Sequence, residues 1–136
     1  TVEEFSLVGE GGGSLTFFDR RPSDHRLPLD EYQVRLAVDG LHATCTVWAV
    51  TESDLIELFE DLARNWRTAS ESREWTSRES DFGINVVPDR LGHYKIEVSI
   101  GVWISWHATG PITIVTAQLD EVVAGLKAFF GKLPSQ

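Results

Sequence analysis

Residues 32–48 read YQVRLAVDGLHATCTVW, and the alternation in this stretch decides the fold class. Tyr32, Val34, Leu36 and Val38 alternate with Gln33, Arg35, Ala37 and Asp39. Leu41, Ala43, Cys45 and Val47 then alternate with His42, Thr44, Thr46 and Trp48. A period of two sends successive side chains to opposite faces of a strand. Between the runs, Asp39-Gly40 is a two-residue turn that accepts positive φ at both positions. A turn there sets Val38 opposite Leu41, Leu36 opposite Ala43, Val34 opposite Cys45 and Tyr32 opposite Val47. Every apolar residue meets an apolar partner on one face, as a half-buried hairpin requires.

Working outward, the same test predicts two further hairpins. Phe5 and Leu7 match Phe17 and Leu15 if residues 9–13 are the loop. Phe82, Ile84 and Val86 match Val98, Ile96 and Tyr94 if residues 88–92 are the loop. The last strand then runs on through Ile100, Val102 and Ile104 to Trp106, a length that predicts a bend or bulge at Gly101. Two stretches change to a helical period. Thr51, read as an N-cap with Asp54 as the acid three positions on, precedes Leu55, Phe59, Leu62, Ala63 and Trp66. Thr116 precedes Leu119, Val122, Val123, Leu126, Phe129, Phe130 and Leu133, with Pro134 as the stop. Trp75 and Ser77 supply a short strand between the helices. The order is ββββ-α-βββ-α, an α+β fold forming a single domain over residues 1–136. Its expected core is one antiparallel sheet of about six or seven strands, with both helices covering its one apolar face.

Length and composition narrow the function. A chain of 136 residues with one Cys needs no disulfide framework, and the lone thiol suits the cytoplasm. It begins at Thr1 rather than Met, which leaves room for residues before it. No apolar run approaches the roughly 18 residues of a spanning helix, and there is no signal-peptide core, so no membrane role is expected. Acidic residues number 21 against 12 Lys and Arg, for a net charge of -9. The excess is concentrated in residues 51–81, with 9 acids and 4 bases, whereas residues 82–136 carry 4 of each. Such a surface repels phosphate backbones and anionic lipid, which argues against nucleic acid and favours a basic protein partner.

The candidate chemical groups are few. Cys45 shares strand parity with Leu41 and Val47, so it belongs to the core and is unreactive. His25, His42, His93 and His107 show no metal-ligand spacing, and neither a metal nor a cofactor is expected. The Gly9–Ser14 stretch has no following helix and no Lys, and reads as a hairpin loop instead of a phosphate cradle. Glu52, Asp54, Glu57, Glu60 and Asp61 fall on a solvated helix face, and Glu60 stands four residues before Arg64. Trp48 and Trp103 have the parity of the polar sheet face, alongside Arg35, Lys95 and Glu97. Exposed Trp beside Arg is the composition of an interface anchor.

An ordered set of residues adds a resemblance. Leu62-Ala63-Arg64-Asn65-Trp66-Arg67, then Arg73, Trp75, Ser77 and Glu79, then Gly92-His93, and the closing Phe129-Phe130 pair resemble a family of small uncharacterised bacterial proteins. That family is similar to immunity proteins that neutralise wall-associated polymorphic toxins. The family's glycines after Trp-Arg are replaced here by Thr68-Ala69-Ser70-Glu71. The resemblance implies a fold and a toxin domain as partner, with no assigned activity.

The expected function is therefore a non-enzymatic, acidic binding protein of the immunity type. Its expected contact surface comprises Arg35, Trp48, Glu57, Glu60, Asp61 and Trp103. Two alternatives come from other classes. One is a hydrolase or small-molecule-binding protein with a pocket between sheet and helices; the other is a homodimer paired through its polar sheet face or an edge strand.

Overall fold

The computed structural model describes residues 3–22, 29–68, 70–89, 91–102 and 105–131. The strands are β1 (Glu4–Val8), β2 (Ser14–Arg21), β3 (Asp30–Val38), β4 (Leu41–Ala49), β5 (Arg73–Thr76), β6 (Phe82–Pro88), β7 (His93–Val102) and β8 (Trp106–Val115). Helix α1 (Ser53–Asn65) follows β4, and α2 (Leu119–Phe130) follows β8 through a short 3-10 turn over Thr116–Gln118. The fold is α+β, but the strands form two antiparallel sheets of four, ordered β1-β2-β3-β4 and β5-β6-β7-β8. This corrects the single sheet of six or seven strands.

The central hairpin has the register its sequence specifies: Tyr32 faces Val47, Val34 faces Cys45, Leu36 faces Ala43 and Val38 faces Leu41. Asp39 and Gly40 both adopt positive φ at its turn. The first hairpin likewise pairs Phe5 with Phe17 and Leu7 with Leu15. The third keeps its predicted faces but shifts by two residues, so that Phe82 meets Ile100, Ile84 meets Val98 and Val86 meets Ile96. Pro88 is drawn into the strand opposite Tyr94, which shortens the loop. A shift of two preserves which side chains face inward, so apolar parity alone does not distinguish the registers.

The long strand expected to end at Trp106 instead stops at Val102 and reverses. The Ser105 amide donates to the Val102 carbonyl, and Trp106 pairs back onto Val102. The returning strand β8 is the eighth strand, and its Pro111 sits on a sheet edge, where proline is tolerated. At the entry to α1 the N-cap position is Glu52 rather than Thr51, although the Thr51 hydroxyl accepts from the Ser53 amide at 3.3 Å. Ser77 lies beyond the end of β5.

The two sheets face one another through their apolar sides, and the helices fill the remaining space. They come close between β4 and β7 and between β3 and β8, and at the latter a Cβ on Gly110 would come within 2.6 Å of Val38 Cγ2. Helix α2 lies along β1 and β2, α1 packs against α2, and α1 also meets β5. Gly125 of α2 leaves space for the Phe5 ring, which any larger residue would collide with. The centre is aromatic. Phe17 lies 5.8 Å from Phe82, 5.9 Å from Phe129 and 6.1 Å from both Tyr32 and Phe130, by ring centroids. The helices thus complete a core shared by both sheets, in place of covering one sheet face.

Candidate functional site

Three places bring polar chemistry together. The first is a groove between α1 and β5. On one wall, Asp54, Glu57, Leu58, Glu60, Asp61 and Arg64 recur at helical spacing and project from one side of α1. On the other, all four residues of β5 line the groove, which has a volume of about 790 Å³. Consecutive strand residues point to opposite faces, so a groove lined by all four must run along the strand's edge. Five carboxylates, those of Asp54, Glu57, Glu60, Asp61 and Glu74, stand against the guanidinium groups of Arg64 and Arg73.

These carboxylates are not equivalent. Arg73 bridges to Asp61 across the groove, and this hydrogen bond holds the Asp61 carboxyl below the usual carboxylate range. Asp61 also accepts from Asn65 at 2.8 Å. Glu60 pairs with Lys127 of α2 at 2.9 Å. Glu57 is exposed and has no ion-pair partner among the described residues. The structure therefore gathers Glu57, Glu60 and Asp61 along one groove but leaves only Glu57 of the three without an internal counter-charge. Glu74 and Trp75, which sequence reasoning did not assign to a surface, complete the opposite wall.

The second place is the outer face of the first sheet. Arg35 and Trp48 lie on it with Gln33, Thr44 and Thr46, as their parity requires. Trp48 is 42% exposed, with its indole nitrogen donating to Glu31 at 3.2 Å. Arg35 does not stack on Trp48. Its guanidinium sits 4.4 Å from the centroid of Phe18, the neighbour on β2 that sequence analysis left out. Trp103 lies outside the described residues, as does His25. Lys95 and Glu97 belong to the second sheet, so the polar face expected to join them to Trp48 is divided between two sheets.

The third place is buried. Glu52, read from sequence as part of a solvated helix face, is only 6% exposed and accepts the hydroxyl proton of Tyr32, which is fully buried. Burial pushes the Glu52 carboxyl up to about 7, against the lowering effect of the Tyr32 hydrogen bond, and Asp30, Asp54 and Asp81 add repulsion. Burial likewise raises the Tyr32 hydroxyl well above its ordinary range, with Glu52 reinforcing the shift. Arg20 offsets part of this acidity by bridging to Asp30 at 3.0 Å. Cys45 is 5% exposed; its thiol donates to the Asp81 carbonyl at 3.7 Å and is pushed up to about 11, chiefly by burial. No sequence signal separates Glu52 from its solvated neighbours, because its burial depends on where Tyr32 of a distant strand ends.

Among the described residues, no group of three or more His, Cys, Asp and Glu is arranged to hold a metal ion. None of the described helices is long and apolar enough to cross a membrane.

A family model matches residues 7–133, nearly all of the chain. The chain belongs to the family of unknown function DUF6228. The match takes in all of both sheets but the first three residues of β1, together with the acidic groove and α2, so all three places lie within the DUF6228 domain. No curated protein matches the chain in sequence. Among solved structures it is similar to that of the plant transcriptional regulator PBF-2, at 11% identity and a TM-score of 0.49, over 96% of this chain and 82% of that one.

Proposed function

We propose that this DUF6228 domain is a non-enzymatic binding protein that meets a basic protein partner through the groove between α1 and β5. The observation that carries this reading is the groove itself, with five carboxylates and two guanidiniums around an apolar floor of Leu58 and Trp75. An excess of one charge in a concave site concentrates the field and raises the rate of encounter with an opposite charge. The immunity-type reading, in which the partner is a toxin domain and binding takes place in the cytoplasm, rests on the family resemblance and is supported by this charge. Trp48 and the Arg35–Phe18 stack offer a second contact surface on the first sheet. Glu52, whose carboxyl burial raises to about 7, is buried against Tyr32, which fits a structural role better than hydrolysis.

The test begins with capture of the partner from the native host, followed by kinetics on variants. Reversing Glu57, Glu60 and Asp61 to Lys should slow association strongly at low salt, with the effect shrinking as ionic strength rises. Trp48→Ala should instead speed dissociation if that ring anchors the complex. An association rate that charge reversal leaves unchanged at low salt would remove the groove from the interface.

A further inference from the structure

The edge of β5 that faces the groove is an unused half of a β-ladder. In an antiparallel pair, residues alternate between those that bond to the partner strand and those that point away. The Ser77 amide donates to the Phe82 carbonyl at 2.7 Å, which fixes the phase of the alternation. Stepping back by two, Trp75 pairs in bonding positions with Ile84, and Arg73 with Val86. The neighbouring strand agrees, because the Gly101 amide donates to the Asp81 carbonyl and so turns the odd-numbered residues of β6 toward β7. Glu74 and Thr76 are left with their amides and carbonyls directed away from β6, into the groove. Both residues are exposed, and neither makes a backbone bond to any other described residue outside the sheet.

We infer that the groove binds an extended, lysine- or arginine-bearing segment of the partner, which adds to the second sheet as a strand beside β5. This rests on the functional reading above and specifies its mode. Strand addition supplies main-chain hydrogen bonds at Glu74 and Thr76, while alternate side chains of the incoming segment project toward the sheet faces. Basic side chains on the helix side would meet Glu57 and Asp54, which flank the groove from α1. Pairing of β5 with a second copy of this chain is discouraged, because it would bring the Glu74 carboxylates of the two copies close together.

The probe is a ten-residue peptide alternating Lys with Val or Thr, titrated at low salt against the full chain and followed by amide resonances. Strand addition predicts the largest amide shifts at Glu74 and Thr76. It also predicts about a tenfold loss of affinity when alternate amides of the peptide are N-methylated. Thr76→Pro removes one outward amide while leaving the bonds made by Trp75 and Ser77, and should weaken binding similarly; Thr76→Ala should bind as the parent does. Unfolding of the proline variant is checked by its melting curve, and the N-methylated peptide tests the same bond without altering the protein. If the N-methylated peptide binds as tightly as its parent, strand addition is wrong. Loss of that binding on reversing Glu57 and Glu60 would still preserve the acidic groove as the site. A peptide that does not bind at all overturns strand addition, whereas a native partner indifferent to charge reversal overturns the functional reading itself.

Discussion

Glu52 and Glu57 lie little more than a turn apart at the start of α1, and they are the same chemical group in opposite surroundings. Glu57 stands in the open groove, where water screens its charge and an incoming cation can reach it. Glu52 is enclosed beneath Tyr32, with Asp30, Asp54 and Asp81 as its charged neighbours. Ionising Glu52 therefore acts against the fold, while ionised Glu57 costs the fold little and acts on whatever approaches. One helix thus separates two uses of acidity, and the separation follows chiefly from burial.

The largest effect expected from this contrast is a pH dependence. With the Glu52 carboxyl raised to about 7 in the folded chain, the proton is held more tightly folded than unfolded. Its contribution to stability is complete below the unfolded value of about 4.5 and is lost as pH rises through about 7, a swing of about 3 kcal/mol. Glu52→Gln keeps an acceptor for the Tyr32 hydroxyl without the charge. The variant should match the parent near pH 4.5 and exceed it near pH 8 in denaturant unfolding. A difference that stays flat across that range would break the contrast.

Tyr32→Phe comes next. It leaves a buried carboxyl without its donor, at a cost of about 1–3 kcal/mol. The loss should be greater at pH 8 than at pH 5, because the ionised form depends on that donor more. Smallest is the effect on folding of reversing Glu57, Glu60 and Asp61 together. The ion pairs to Lys127 and Arg73 are partly exposed, so melting should report a loss below about 1 kcal/mol, at any pH between 6 and 8. A larger loss would place these residues with Glu52 as part of the fold.

What the sequence makes legible follows the range of the interactions. The Asp39-Gly40 turn and the alternation around it fix one hairpin in full, since neighbours in the chain are neighbours in the sheet. The alternation from Tyr94 to Trp106 passes through a chain reversal without Gly, Pro, Asn or Asp inside the link, so the end of β7 is concealed. In β8, Gly110 and Pro111 interrupt the apolar pattern that would have announced a strand. Gly110 is small because Val38 of the other sheet occupies the space, a constraint set by a residue distant in sequence. The acidic character of α1 was legible for the same local reason as the hairpin. Which of its acids would be buried, paired or free was decided by Tyr32, Lys127 and Arg73, each from another element.

The order in which the elements leave the ribosome gives the placement of α2 a further meaning. The first sheet is built from residues close in sequence, so its hairpins are able to form early in synthesis. Its inner face, however, is closed partly by Phe129 and Phe130, whose rings stand 6.3 and 5.1 Å from that of Tyr32. Both come from the last described helix, and until it emerges Phe17 and Tyr32 lack two of their aromatic neighbours. Until α2 has been made, the nascent domain therefore carries an open apolar face, and its need for chaperone protection should end abruptly when α2 docks.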